Sequence, residues 1–400
     1  MNTIDIGTCP AFKEFQLQIP IGIDGISCAT FLPDTSPQQL VLGTTGGRVR
    51  IYDISNLTHT CVYQRKWHKS IRCLSLLPTT HHLASASGQG GIKLHDLESG
   101  TKIWMRLKAH DNSSISSLLT TSPVQLISGD EAGVVKVWDV RKPGGPCQKI
   151  EQEMVDDVTD SFGAINEMVC GGNQNSVLAA LDNGCLAVLN IRKGRVEVLS
   201  DTLGYSARTL VVVKNQRRAL VGTEEGVICI FNWDEFELFA DRFTLPGQRS
   251  AKTGATGGHV SIEKLVKINE DVVAAATDDG FISAVNIQPN GRLGVIGRHQ
   301  GSEEIGGDCI NLAVNPQNSL LASVCPDSTE VDFWPLQKWI SMAKSSKTKP
   351  TLGRKSRCVA DTERAEHLAG LLPDAREREE MSSEAQSDSD SDVDSESSSD

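Results

Sequence analysis

Apolar and polar positions alternate along this chain in short runs that keep a fixed order. Each run opens on a turn residue, places apolar residues two and four positions later, adds an aromatic or apolar residue, and ends on Asp or Asn. It reads Gly47-Arg-Val-Arg-Ile-Tyr-Asp53, Gly90-Gly-Ile-Lys-Leu-His-Asp96, Gly133-Val-Val-Lys-Val-Trp-Asp139, Gly184-Cys-Leu-Ala-Val-Leu-Asn190, Gly226-Val-Ile-Cys-Ile-Phe-Asn232 and Gly280-Phe-Ile-Ser-Ala-Val-Asn286. A degenerate seventh copy is Thr329-Glu-Val-Asp-Phe-Trp-Pro335. Side chains two apart share one face of a strand, and a leading glycine relieves the tight turn that brings the chain in. Upstream of each copy lies a second apolar run ending in small residues, such as Leu40-Val-Leu-Gly-Thr44, Leu126-Ile-Ser-Gly129 and Leu320-Leu-Ala-Ser323. The pattern predicts small antiparallel sheets, each phrase forming the third strand, with the small residues letting neighbouring sheets approach near a central channel.

Successive anchors are separated by 43, 43, 51, 42, 54 and 49 residues, the WD40 period of about 40–45 residues plus insertions. Seven such modules predict an all-β fold, a seven-bladed WD40 β-propeller that exposes only short sheet edges. After Trp334 the chain turns basic and polar, so the last blade lacks an outer strand from its own side. Phe15-Gln-Leu-Gln-Ile19 alternates in strand fashion ahead of the first blade's inner strand at Gly25–Phe31, and is expected to complete the last blade. The domains read as a propeller over 1–337 and a disordered, charged C-terminal tail over 338–400.

The tail is divided by charge. Lys338, Lys344, Lys347, Lys349, Arg354, Lys355 and Arg357 form a basic block without acidic residues, and residues 381–400 hold nine Ser, five Asp and two Glu without basic ones. Such a segment buries too little apolar surface to fold. Between the blocks, Ala365, Leu368, Leu371 and Leu372 share one helical face, as a short partner-binding or transient helix would. Ser387, Ser389, Ser391 and Ser397 each have an acidic residue three positions on, which makes them candidate phosphorylation sites adding about −1.5 to −2 charges each. Basic block and acidic block together read either as a localisation and partner-tuning device or as a solubilising tail. Over residues 1–337 the balance is 29 basic to 37 acidic residues, which lacks the basic field of an independent nucleic-acid binder.

The first twenty residues lack the basic start and apolar core of an export signal, and no run reaches the ~18 apolar residues of a membrane helix. The chain is expected to be soluble, not secreted by the usual route, and without a membrane partner. Eleven cysteines, scattered singly and including Cys28, Cys73, Cys185 and Cys229 within strand patterns, fit small buried residues in a reducing compartment.

Catalytic and cofactor signatures are missing: there is no His-Glu-x-x-His, no Gly-x-Ser-x-Gly, no phosphate-binding loop and no dinucleotide fingerprint. The reading is therefore no enzyme, no metal, no cofactor and no small-molecule substrate. His110, Ser128, Asp130 and Trp138 resemble a hydrolase triad in composition, but in WD40 folds a His before the inner strand, a Ser on the second and a Trp on the third form a buried network with a turn Asp. Either Asp130 or Glu131 could take the Asp place. His68, His259 and His299 occupy the equivalent entry positions of other blades, whose networks read as partial because most lack the Trp. Asp53, Asp96 and Asp139 are expected to accept backbone hydrogen bonds where the third strand turns outward. Two insertions, Arg141–Gly163 with an acidic patch (Glu151, Glu153, Asp156, Asp157, Asp160) and the glycine-rich Gly247–Gly258 with Arg249 and Lys252, are candidate binding loops or tolerated surface insertions.

Several stretches go beyond the repeat phrase: Asp182–Arg192, Glu224–Trp233 with Asp241-Arg-Phe243, and Asp279–Asn290 running on to Gly297-Arg-His299. Through them, and most specifically through Phe231-Asn-Trp233 and Val285-Asn-Ile-Gln-Pro289, the chain resembles the WD repeat-containing protein 55 family over about residues 20–337. The resemblance implies a scaffold of nucleus and nucleolus, also present in cytoplasm, for ribosomal RNA processing and large-subunit production. It implies pre-ribosomal assembly factors as partners, with RNA contact indirect or tail-mediated. A second likeness is that of Leu126–Arg141 to the box by which WD40 receptors of cullin-RING ubiquitin ligases dock their adaptor. It marks Trp138, Asp139 and Arg141 as docking candidates, with Arg141 carrying the contact and Asp130 standing where a small residue is usual.

Overall fold

The computed structural model describes residues 15–18, 24–33, 35–36, 38–55, 58–78, 81–151, 162–171, 175–246, 260–299, 311–326 and 328–346. Contacts divide the chain into Met1–Lys349 and Pro350–Asp400, and the second unit lies outside the described residues, as do all four candidate serines.

The described strands form seven four-stranded antiparallel sheets. In the third blade the strands are Ile115–Ser122, Gln125–Asp130, Val135–Asp139 and Gln148–Ile150. The repeat phrase supplies the third strand there and in every other blade. Its glycines explain why the turns are so regular. Gly47, Gly90, Gly133, Gly184, Gly226 and Gly280 all have φ between +74° and +83°, a region that costs a side chain but not glycine.

The sheets are buried on both faces. Hydrophobic clusters fill the space between successive blades: Cys28, Val41, Ile51 and Ile71 between the first and second, Ile127, Ile165 and Leu181 between the third and fourth, Val213, Ile230 and Val273 between the fifth and sixth. The second-strand small residues set this spacing. A Cβ on Gly43, Gly129 or Gly222 would lie 2.8, 2.7 and 2.8 Å from Cγ2 of Ile71, Ile165 and Ile262, isoleucines at or just before the inner strand of the next blade. Side chains also tie inner strands together. The Met168 N–H donates to Ser117 Oγ at 3.0 Å, Leu210 N–H to Glu167 Oε2 at 3.0 Å and Leu265 N–H to Thr209 Oγ1 at 2.9 Å, while Lys264 Nζ pairs with Glu167 Oε1 at 2.5 Å.

The ring closes through the N-terminal strand. Phe15–Gln18 pairs antiparallel with Glu330–Pro335, Leu17 opposite Val331, and is the outer strand of the last blade. Leu17 is fully buried among Ile26, Leu42, Val324 and Phe333; Ile19 lies outside the described residues.

The domain boundary expected at residue 337 comes too early. Gln337–Ser346 is a helix, α1, rather than the start of a disordered tail. Trp339 and Ala343 are buried in the cluster between the sixth and seventh blades, with Ile340 and Met342 against its margin. Apolar residues at 339, 340, 342 and 343 give the helix one face to bury, which outweighs the basic residues scattered among them. The indole of Trp339 lies where Gly294 has no side chain, a Cβ there falling 3.0 Å from the ring.

Because Leu17 is fully buried and the strand carrying it closes the ring, Leu17→Ala should cost about 2–5 kcal/mol of stability. Chemical denaturation would show this as a lowered midpoint, and a loss below about 1 kcal/mol would contradict the closure.

Candidate binding site

The third blade brings His110, Ser128, Asp130 and Trp138 together. The Trp138 indole N–H donates to Ser128 Oγ at 2.9 Å, Ser128 Oγ lies 2.6 Å from His110 Nε2, and His110 Nδ1 lies 2.8 Å from Asp130 Oδ2. Asp130 Oδ1 accepts the backbone N–H groups of Val134 at 2.8 Å and Ala132 at 3.1 Å. Burial pushes the Asp130 carboxyl up, but the hydrogen bonds from His110 and the Val134 N–H outweigh it and hold it below the usual carboxylate range. Asp130 therefore takes the turn position, and Glu131 reaches across to Arg72 at 2.9 Å instead. Ser128 and His110 are 0% and 1% exposed, and Ser128 Oγ already accepts from tryptophan, so no substrate carbonyl can approach it. The network clamps the entry loop, second strand and third strand to one another.

A second network escaped the sequence reading. In the last blade the Trp334 indole donates to Ser323 Oγ at 2.9 Å, and His299 Nδ1 lies 3.0 Å from Ser323 Oγ and 3.2 Å from Asp332 Oδ2, with all four residues buried. The signal was present in Trp334 of the degenerate seventh phrase, with Ser323 and His299 at the matching upstream positions. The second blade is partial. His68 Nε2 contacts Ser85 Oγ at 2.9 Å, and His95, standing where tryptophan would, stacks on Trp67 with centroids 3.7 Å apart. His259 lies outside the described residues.

At the outer ends of the third strands, Asp139 accepts the Arg141 N–H at 3.0 Å and binds its guanidinium through both oxygens at 2.9 and 2.7 Å. Asp96 accepts the Glu98 N–H at 3.1 Å, whereas Asp53 is taken by the Gln39 carboxamide at 2.7 Å. Arg141 is 67% exposed and Trp138 is buried, so of the three docking candidates the arginine is the most open to solvent. Lys338 lies over the Trp339 ring at 5.1 Å, and Lys344 falls within α1. Lys347, Lys349, Arg354, Lys355 and Arg357 lie outside the described residues, as do 152–161 and 247–258 of the two insertions. Burial pushes the Cys28 and Cys229 thiols up to about 12, so they are not thiolates at neutral pH. Among the described residues no cluster of His, Cys, Asp and Glu could hold a metal.

The turns joining first to second strands and third to fourth strands share one face of the ring. On that face, between the fifth and sixth blades, a cavity of about 650 Å³ is lined by Lys214, Asn215, Arg217, Arg218, Asn232, Trp233, Glu270, Asp271 and Gln288. Its acids are engaged: Lys214 Nζ donates to Asp271 at 2.5 Å, and Glu270 accepts from Lys267 Nζ at 2.5 Å and from the Asn215 N–H at 2.7 Å. Burial raises the Glu270 carboxyl, yet these two donors hold it below its ordinary range. Arg218 donates to Asn232 Oδ1, Asn232 donates to Glu235 at 2.6 Å, and Trp233 packs edge-to-face on Phe236 at 5.2 Å.

Comparison with known proteins agrees with the repeat architecture. Residues 59–96 match the family described as WD domain, G-beta repeat. A Bos taurus WD repeat-containing protein 55 is 31% identical over 266 residues, 66% of this chain and 62% of that protein. The Rattus norvegicus protein of the same name is 30% identical over 58% of this chain and 55% of its own length. The Arabidopsis thaliana protein is 24% identical over 80% of this chain and 83% of its own. Together these matches support the WD repeat-containing protein 55 family as the one this chain resembles. It spans less than two thirds of the length of the mammalian relatives it matches.

The two runs that most specifically resemble the WD repeat-containing protein 55 family meet at the cavity: Asn232 and Trp233 of the first run and Gln288 of the second are among its walls. They come from different blades, so no single repeat phrase could have announced the cavity.

Burial, together with the neighbouring Lys93 charge, holds both His68 and His95 down to about 4. Arg65 and Lys102 add to the effect at His95. A histidine depressed on folding binds fewer protons in the native than in the unfolded chain, so its contribution is complete above the unfolded value of about 6.5 and falls as pH drops toward 4. Melting temperature should therefore decline by several degrees across that window. His95→Gln should flatten the decline, and a variant as acid-sensitive as the parent would contradict the assignment.

Proposed function

We propose that this chain is a non-enzymatic scaffold for ribosome biogenesis, working in the nucleus and nucleolus by presenting its propeller faces to pre-ribosomal assembly factors. Resemblance to the WD repeat-containing protein 55 family carries the reading, because what that resemblance implies is ribosomal RNA processing and large-subunit production. A WD40 propeller supports protein–protein interaction in general. Among the described residues the two Ser-His-Asp groups, around Ser128 and Ser323, are sealed from solvent, each serine already held by a tryptophan and a histidine, which favours a scaffold over a hydrolase. The basic block followed by the Ser/Asp/Glu-rich block fits a compartment rich in RNA and basic proteins, with Ser387, Ser389, Ser391 and Ser397 as sites of tuning. RNA is met indirectly or through the tail, since the propeller's excess of acidic residues opposes polyanion binding.

Depletion of the protein should cause precursor ribosomal RNA to accumulate and large subunits to fall relative to small ones, read by northern blot and gradient profiles. Normal precursor levels after full depletion would remove the proposal.

A second reading, as the substrate receptor of a cullin-RING ubiquitin ligase, is favoured by one observation: Arg141 stands exposed at the outer end of the third-blade phrase, where an adaptor can reach it. On this reading Arg141→Ala abolishes co-purification of the adaptor without altering the melting temperature. An unchanged pull-down would eliminate it.

A further inference from the structure

The cavity between the fifth and sixth blades has a feature that its architecture does not require. Eight non-glycine residues among those described have positive φ, and five stand in or beside this cavity: Lys214, Asn215, Gln216, Asp234 and Gln288, with φ from 53° to 68°. Three of them are consecutive. Side chains in this region cost of order 1 kcal/mol or more each and persist only where surrounding contacts impose them. The contacts that impose the turn at 214–217 are visible: Lys214 and the Asn215 N–H are held by Asp271 and Glu270 of the next blade, and the Arg217 carbonyl accepts the Trp233 N–H at 2.9 Å. The turn is thus fastened on two sides, and of its side chains Lys214 is part of the fastening while Asn215 and Arg217 are not.

Which groups remain decides the ligand chemistry. Glu270, Asp271, Lys214, Arg218 and Asn232 are paired within the protein. Among the described residues, the Arg217 guanidinium and the Asn215 and Gln288 carboxamides take no hydrogen bond or ion pair, and all three residues are exposed. Beside them the cavity wall is the Trp233 indole. One guanidinium matches one carboxylate bidentately, two carboxamides can each donate and accept as a peptide backbone does, and an indole offers an apolar face to a neighbouring side chain. A volume of about 650 Å³ lies in the range of ligand pockets.

We propose that this cavity is a docking site for an acidic linear peptide of a partner protein, with a Glu or Asp side chain on Arg217, peptide groups on Asn215 and Gln288, and an adjacent apolar or aromatic side chain against Trp233. A single free cation suits one carboxylate. Nucleic acid, which gains affinity by neutralising several phosphates, finds a single unpaired cation among the described residues here. The proposal needs only the propeller, and stands or falls separately from the ribosomal reading.

The test is selection of phage-displayed random nonapeptides on the full chain, with counter-selection on Arg217→Glu. Selected peptides are then measured by fluorescence anisotropy alongside a nine-nucleotide uridine oligomer. Enriched peptides should carry an acidic residue next to an apolar one, and should lose at least tenfold in affinity to Arg217→Ala and to Trp233→Ala, with Arg217→Lys recovering part of the loss. Arg217 is exposed, so its variants should melt like the parent, which separates a binding defect from misfolding. Enrichment of peptides without acidic residues, affinities indifferent to Arg217, or Arg217-dependent binding of the oligomer in place of the peptides would each overturn the proposal.

Discussion

Every blade in this molecule is covered on both faces by its neighbours, and no blade could stand without them. The apolar clusters do not lie inside sheets but between them, so each sheet's burial depends on the next sheet being present. Such an arrangement is stable only as a closed ring, because an open end would leave two sheet faces in water. The seam is therefore the decisive place. It is made from the two ends of the propeller sequence: Phe15–Gln18 supplies the outer strand that Glu330–Pro335 otherwise lacks, and α1 covers the apolar rim beside it.

The polar interior is arranged to preserve this packing. Where the third strand carries tryptophan, in the third and last blades, a serine accepts its N–H and a histidine bonded to that serine locks the entry loop. Where the second blade carries His95 instead, ring stacking on Trp67 takes the place of the hydrogen bond. The same positions can hold networks of different composition because the requirement is the same in each: buried donors and acceptors near the channel must be paired. A triad-like set of residues is then a consequence of the fold.

Much of the fold was legible in the chain because glycine and alternation encode it directly. Gly47, Gly90 and their counterparts need left-handed backbone, and Gly43, Gly129 and Gly222 need the absence of a Cβ against the next blade; both demands leave a readable mark. What was not legible arose from contacts between distant segments. Trp339 and Ala343 sit in a basic stretch whose composition reads as unfolded, and only the gap above Gly294 shows what the helix covers. The last-blade network was hidden by a phrase that had lost its glycine. The cavity takes its walls from 214–218, 232–233, 270–271 and 288, and a conformation such as three consecutive left-handed residues leaves no mark in residue type, since Lys, Asn and Gln are ordinary turn residues.

Hydrogen–deuterium exchange across the seam tests closure most directly, followed by mass spectrometry of peptides spanning 15–18 and 330–335. If the N-terminal strand closes the ring, both segments exchange slowly and together, at the rate at which the whole propeller opens. Rapid exchange at 15–18 while 330–335 remains protected would show that the ring holds without that strand, and would contradict the account.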